Sequence, residues 1–169
     1  MMSKSLKLLL VLTIALKAAV AQSVTFPAVP LRSDSLAAIA NKGMPAGMDI
    51  YIMARVATEH HYPLPEDVLN SHSQLELDAA QLNKINALVK TLNLKKLEIS
   101  RSVVANEKTL NQLFANRKLN DGSIIFYGNR YGLYEGEMRT AVLTACYQTA
   151  QVLTPRQLTK FEQIKNHNN

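Results

Sequence analysis

The chain has 169 residues, with 19 Lys and Arg against 13 Asp and Glu, a formal net charge of +6, and one cysteine, Cys146. This length bounds it to a single domain, and one cysteine excludes an internal disulfide framework. The charge is too modest for a dedicated nucleic-acid binder, and no G-x-S-x-G, H-E-x-x-H, Walker loop or cysteine pair marks an enzyme.

Residues 1–21 read as a signal peptide. Lys4 and Lys7 precede the apolar run Leu8 to Leu16, and Ala19-Val20-Ala21 has the A-x-A form that signal peptidase cleaves, with Gln22 next. The apolar run is too short for the roughly 20 residues a membrane span needs, so the expectation is an exported, periplasmic protein. Cleavage removes Lys4, Lys7 and Lys17. Lys+Arg then falls from 19 to 16 against 13 acids, and the mature charge is about +3.

Residues 22–47, with Pro27, Pro30, Gly43, Pro45 and Gly47, read as an irregular leader with one short helix around Ser35 to Asn41. Residues 48–169 read as an all-helical domain. Asp49 to Glu59 is helical in character, with Ile52, Met53 and Val56 on one side, and Pro63 and Pro65 end it. Pro65 can open a short helical turn, with Glu66 and Asp67 at its positive end.

Leu77-Asp78-Ala79-Ala80-Gln81 spells a helix start. Asp78 is placed to accept a bond from an orphan amide of the first turn, and Gln81 to reach back to the cap amide, which together make a capping box. Leu77 and Leu82 occupy the positions of a hydrophobic staple. From Glu66 to Asp121 there is no Gly and no Pro, so Asp78 should open one helix of about 40 residues, far beyond the usual three to four turns. Its apolar residues fall on two heptad lines. Ile85, Leu92, Ile99 and Leu113 form one, and Leu82, Val89, Val103 and Leu110 the other, interrupted by Asn106 and Lys96. Such a seam needs a partner helix, in a hairpin or a dimer.

Asn120-Asp121-Gly122 signals a turn. A second helix is expected from about Tyr127 to Gln151, with Met138, Ala141, Val142, Ala145, Cys146 and Val152 inward. Gly128, Gly132 and Gly136 weaken its beginning, leaving Ser123 to Tyr134 as loop or frayed helix. Leu153-Thr154-Pro155-Arg156-Gln157 then repeats the earlier motif 76 positions on, with Thr154 as cap, Pro155 at the first helical position, and Leu153 and Leu158 as staple. The last helix should run from Pro155 to about Asn166. Capping boxes occur in many helical chains; two matched, stapled copies in one small exported chain are a narrower signal. The fold expected is all-α, with a long antiparallel hairpin at its centre. A core poor in aromatics and lacking disulfides makes a homodimer a reasonable expectation.

Two kinds of site suggest themselves. Lys84, Lys90, Lys95, Lys96, Arg101, Lys108, Arg117 and Lys118 outnumber Glu98 and Glu107 along the long helix. A helix with apolar stripes and basic flanks can capture a client chain first by charge and then by apolar contact, although charge runs are usually just solvated faces. His60, His61 and His72 are the candidate ligands for a transition metal. Neighbours on a helix such as His60 and His61 diverge by about 100°, so no metal site is assigned and no cofactor is expected.

The two motifs, the signal peptide and the long helix between the motifs resemble the Spy/CpxP (LTxxQ-motif) family of small periplasmic proteins and the related heavy-metal sensor and zinc-resistance-associated groups. The stretch from Gly47-Met48 through Tyr62-Pro63-Leu64-Pro65-Glu66-Asp67-Val68-Leu69 is similar to a lead-in found in some members. The resemblance implies a four-helix, hairpin-like protomer in a curved dimer, cradling unfolded or partly folded envelope proteins without ATP. It also implies a role in envelope or metal stress, with a membrane sensor as a further partner. Asp78 stands where the family's first motif has threonine, a swap that preserves the cap. In metal-sensing relatives the penultimate helix supplies His or Met to the ion; the matching stretch here, Arg139 to Gln148, contains no histidine. On this reading Leu77, Asp78, Gln81, Leu153, Thr154 and Gln157 are architectural. The client surface is carried by Lys84, Lys95, Lys96, Arg101, Lys108 and Arg117. The alternative is a sensor or resistance protein for Zn, Ni, Co or Cu.

Overall fold

In the computed structural model, which describes residues 48–167, the chain forms five α-helices and no strand among those residues. The expected signal peptide, leader and short helix around Ser35 lie outside them. The helices are α1 (Ile50–Thr58), α2 (Pro65–Asn70), α3 (Ala79–Ala115), α4 (Asp121–Val152) and α5 (Pro155–His167). The described residues are all-α, and none of their helices is long and apolar enough to cross a membrane.

Local chemistry accounts for most helix ends. The Asp49 carboxylate caps α1, accepting from the Tyr51 amide at 2.8 Å. Pro65 begins α2, with Glu66 and Asp67 in its first turn. Asn120 caps α4, accepting from the Ser123 amide at 2.8 Å and the Ser123 hydroxyl at 3.1 Å.

Three turns close in the same way. Tyr62 N–H donates to Ala57 O, Leu77 N–H to His72 O and Lys118 N–H to Leu113 O, at 3.0, 3.2 and 2.9 Å. Each is the long bond of a Schellman motif, and the residue just before each donor must turn left-handed. Those residues are His61, Glu76 and Arg117, with φ of 65°, 54° and 52°. None is glycine.

The glycines among the described residues lie instead inside α4. The helix begins at Asp121, about two turns before the expected start near Tyr127, and it carries Gly122, Gly128, Gly132 and Gly136 without a break. The Asn120 cap and the packing of α4 on α3 outweigh the weak helix propensity of glycine.

α3 and α4 pack side by side and antiparallel. Asn106 meets Tyr127, Lys95 meets Glu137, and Gln81 meets Val152, so contacts descend one helix as they climb the other. The core has two parts. In the first, Met53, Ala54 and Leu64 pack with Leu92, Ile99 and Val103 of α3 and with Tyr134, Met138, Val142 and Cys146 of α4. In the second, Val68, Leu75, Ile85, Leu153 and Phe161 gather where α3 begins and α4 finishes. The inward side of α1 is Met53 and Ala54. Ile52 and Val56, expected beside Met53, are exposed, because the inward stripe runs through Ile50, Met53, Ala54 and Ala57 at helical spacing and leaves them off that face. From Glu107 to Leu133 no residue is buried.

Candidate functional site

The two capping motifs, 76 residues apart, meet. At the first, the Asp78 carboxylate accepts from the Gln81 amide at 2.8 Å, while the Asp78 N–H donates to Gln81 Oε1 at 3.2 Å. At the second, the Thr154 hydroxyl accepts from the Gln157 amide at 3.3 Å, and the Thr154 N–H donates to Gln157 Oε1 at 3.0 Å. Each glutamine oxygen thus faces its own cap, which fixes the orientation of the amide and turns its NH2 outward. The two NH2 groups then donate across the joint, Gln81 to Gln157 Oε1 at 2.9 Å and Gln157 to Gln81 Oε1 at 3.0 Å.

Their second protons go to main-chain carbonyls. Gln81 donates to Val152 O at 2.9 Å and Gln157 to Leu75 O at 3.3 Å. Both side-chain amides are therefore fully engaged, a condition that makes a half-buried polar group stabilising rather than costly. Leu153 is buried beneath the joint, with Leu77 and Leu158 packed around it, and Lys160 bonds Glu76 at 2.7 Å beside it. The sequence marks each motif as a helix start; their contact is a tertiary fact with no local signal.

The cations of α3 do not share one face. With 3.6 residues per turn, Lys90, Arg101 and Lys108 line up on one side, while Lys84 and Lys95 lie on another. Lys90, Arg101 and Lys108 are exposed, as are Leu94 and Val104 between them, 48% and 52% accessible. Lys95 is tied to Glu98 at 3.1 Å and approaches Glu137 at 3.8 Å. Arg117 is exposed in its left-handed turn past the end of α3.

Lys96, expected on the client surface, is buried instead. It is only 2% accessible and cannot belong to a client-binding surface. It occupies the heptad line between Val89 and Val103, and that position buries it. Burial pushes its ammonium below the ordinary lysine value, an effect that Glu66 partly offsets. Glu66, in the first turn of α2, is raised by burial and lowered less by Lys96. Asn93 is buried one turn before Lys96, and the Ser100 hydroxyl one turn after donates to Lys96 O at 2.7 Å. A polar layer thus lies between α2 and α3. Asn106, the other interruption of the heptad lines, is also buried, and it donates to Tyr127 O at 3.2 Å.

Cys146 is fully buried, and its thiol is pushed up to about 11, first by burial and then by Glu66 and Asp67. Burial of this kind disfavours the thiolate, the reactive form of cysteine. The three candidate metal ligands do not converge. His60 is exposed beside Tyr62 and Tyr147, His61 Nδ1 faces Glu162 at 3.4 Å, and His72 Nδ1 lies 2.7 Å from Leu69 O. Among the described residues no three His, Cys, Asp or Glu side chains are grouped to hold an ion.

No protein-family model matches the sequence, and neither a curated protein nor a solved structure matches it.

Proposed function

We propose that this chain is an exported, ATP-independent binder of unfolded or partly folded envelope proteins, working as a curved homodimer of hairpin-like protomers in the manner of the LTxxQ proteins it resembles. The observation that carries the reading is the alternating stripe Lys90, Leu94, Arg101, Val104, Lys108 on the outer side of α3, where exposed aliphatic side chains sit between exposed cations that form no ion pair among the described residues. Such a stripe attracts acidic, aggregation-prone chains at long range and then offers apolar contact without demanding a particular sequence. The glutamine joint would hold the long helix rigid while it does so.

The test is suppression of aggregation of a chemically unfolded acidic client over a salt series. Suppression is expected at low ionic strength, to fade as salt screens the cations, and to drop in the Arg101→Glu, Lys108→Glu double variant. No suppression at any ratio, or suppression indifferent to both salt and the double variant, would reject the proposal.

A further inference from the structure

α1 buries one side and leaves another bare. Ile50, Met53, Ala54 and Ala57 face the core, while Ile52 and Val56, one turn apart, remain 62% and 46% accessible. The bare track continues past the end of the helix. The 3.0 Å bond from Tyr62 N–H to Ala57 O folds the chain back. It sets the exposed Tyr62 ring beside that of Tyr147, with centroids 6.3 Å apart and planes 22° from parallel. Val56, Ala57, His60, Tyr62, Leu143 and Tyr147 line a mainly apolar groove between α1 and α4.

The start of α1 is where the preceding residues join this surface, since the fully buried Met48 fixes the chain there. Among those residues, Ser35 to Asn41 carry the pattern of a short helix. Leu36, Ile39 and Ala40 fall on one stripe of it, and Gly43 just beyond suits its end. Six residues, Lys42 to Gly47, separate that stretch from Met48, and Gly43, Pro45 and Gly47 among them favour a turn. Helices joined by so short a link pack as antiparallel neighbours. We infer that residues 31–42 dock along the outer side of α1, antiparallel to it, covering Ile52 and Val56 with the Leu36–Ile39 stripe and reaching the tyrosine groove with Leu31.

The charges fit the same alignment. Antiparallel helices advance at equal rise, so setting Ile39 opposite Ile52 brings Lys42 to Asp49 and, past the other end, Arg32 to Glu59. Both cations of the segment thus meet acids of α1, and Asp34 falls near Arg55. Glu59 has room for a second partner, because its bond to Arg55 spans 3.8 Å between two well-exposed side chains. An outside ligand would have to reproduce this spacing of apolar and charged groups. The segment carries it already, and its six-residue tether holds it at high effective concentration.

This inference stands apart from the client-binding reading, whose stripe lies on α3, so either can fail alone. Trypsin should cut the full chain after Lys42 slowly, and Val56→Asp should speed that cut about tenfold, as the undocked population grows. A second set of variants leaves Val56 in place. Ile39→Cys with Ile52→Cys should oxidise to a disulfide within one chain about tenfold faster than Ile39→Cys with Lys108→Cys, while the buried Cys146 stays out of the exchange. Mass measured without reductant separates links within a chain from links between chains. Cleavage after Lys42 that is as fast in the wild type as in Val56→Asp would overturn the inference. So would equal linking of the two cysteine pairs, or links formed between chains, which would assign the outer side of α1 to a second copy.

Discussion

Gln81 and Gln157 hold each other by a reciprocal pair of amide hydrogen bonds at 2.9 and 3.0 Å, while each also completes the cap of its own helix. One side chain thus does two things at once. It satisfies the start of a helix and locks that start to the start of another, so the entry points of α3 and α5 cannot move independently.

Replacing either glutamine with alanine should cost about 2–3 kcal/mol, because buried main-chain acceptors and the facing amide lose their partners together. The Gln81→Ala, Gln157→Ala double variant should cost clearly less than the sum, by about 1 kcal/mol or more, as coupled residues do. Urea unfolding of the four proteins measures this, and strict additivity would mean that the joint does not persist in solution.

Thr154→Ala should lower stability by about 1 kcal/mol, the usual loss for a helix cap. Asp78→Ala should cost a similar amount, since its carboxylate makes the equivalent bond at 2.8 Å. Thermal melting of each single variant checks the assignment; an unchanged midpoint would count against it.

Arg117→Gly should stabilise the protein by about 0.5–1 kcal/mol. The residue sits at φ 52° in the turn that closes α3, a conformation that costs an L side chain and suits glycine. Glycine also gains freedom in the unfolded chain, which caps the benefit. Differential scanning calorimetry reads the shift, and a lower midpoint would show that the Arg117 side chain makes contacts that outweigh the strain.

The polar layer gives a signed pH dependence. Glu66 and Asp67 are both raised by burial above their ordinary values of 4.5 and 3.8. A carboxyl raised on folding binds its proton more tightly in the folded state. Its stabilising share is complete below the ordinary value and is lost as pH rises through the raised one. Lys96, lowered by burial, loses its share as pH falls through its depressed value. Acidifying from neutral pH toward 4.5 should therefore raise the melting temperature, with Glu76, lowered by its exposed bond to Lys160, opposing this weakly. Glu66→Gln should flatten the rise. A midpoint that instead falls steadily with acid in the wild-type chain would contradict the buried setting of both carboxyls.

What could be read from the sequence was what local chemistry decides. Asp78 with Gln81 and Thr154 with Gln157 are spaced three apart, and three residues are enough to define a cap. The stretch without Gly or Pro up to Asp121 marked the length of α3 correctly. Residue type is a weaker guide than position here. Charge normally faces water, yet the heptad register of Lys96, between Val89 and Val103, places it inside. Gly128, Gly132 and Gly136 suggest loop or frayed helix over Ser123 to Tyr134, whereas the left-handed turns that favour glycine are filled by His61, Glu76 and Arg117. Contact between Gln81 and Gln157 had no local trace, since nothing near either residue refers to the other.

The glutamine joint also constrains how the molecule is made. Its two halves are separated by the full length of α3 and α4, so a chain synthesised from its N-terminus must display the greasy seam of the first rod until the second has followed it. During that interval the nascent chain is itself unfolded, and under the proposed function it would count among the clients of copies already folded.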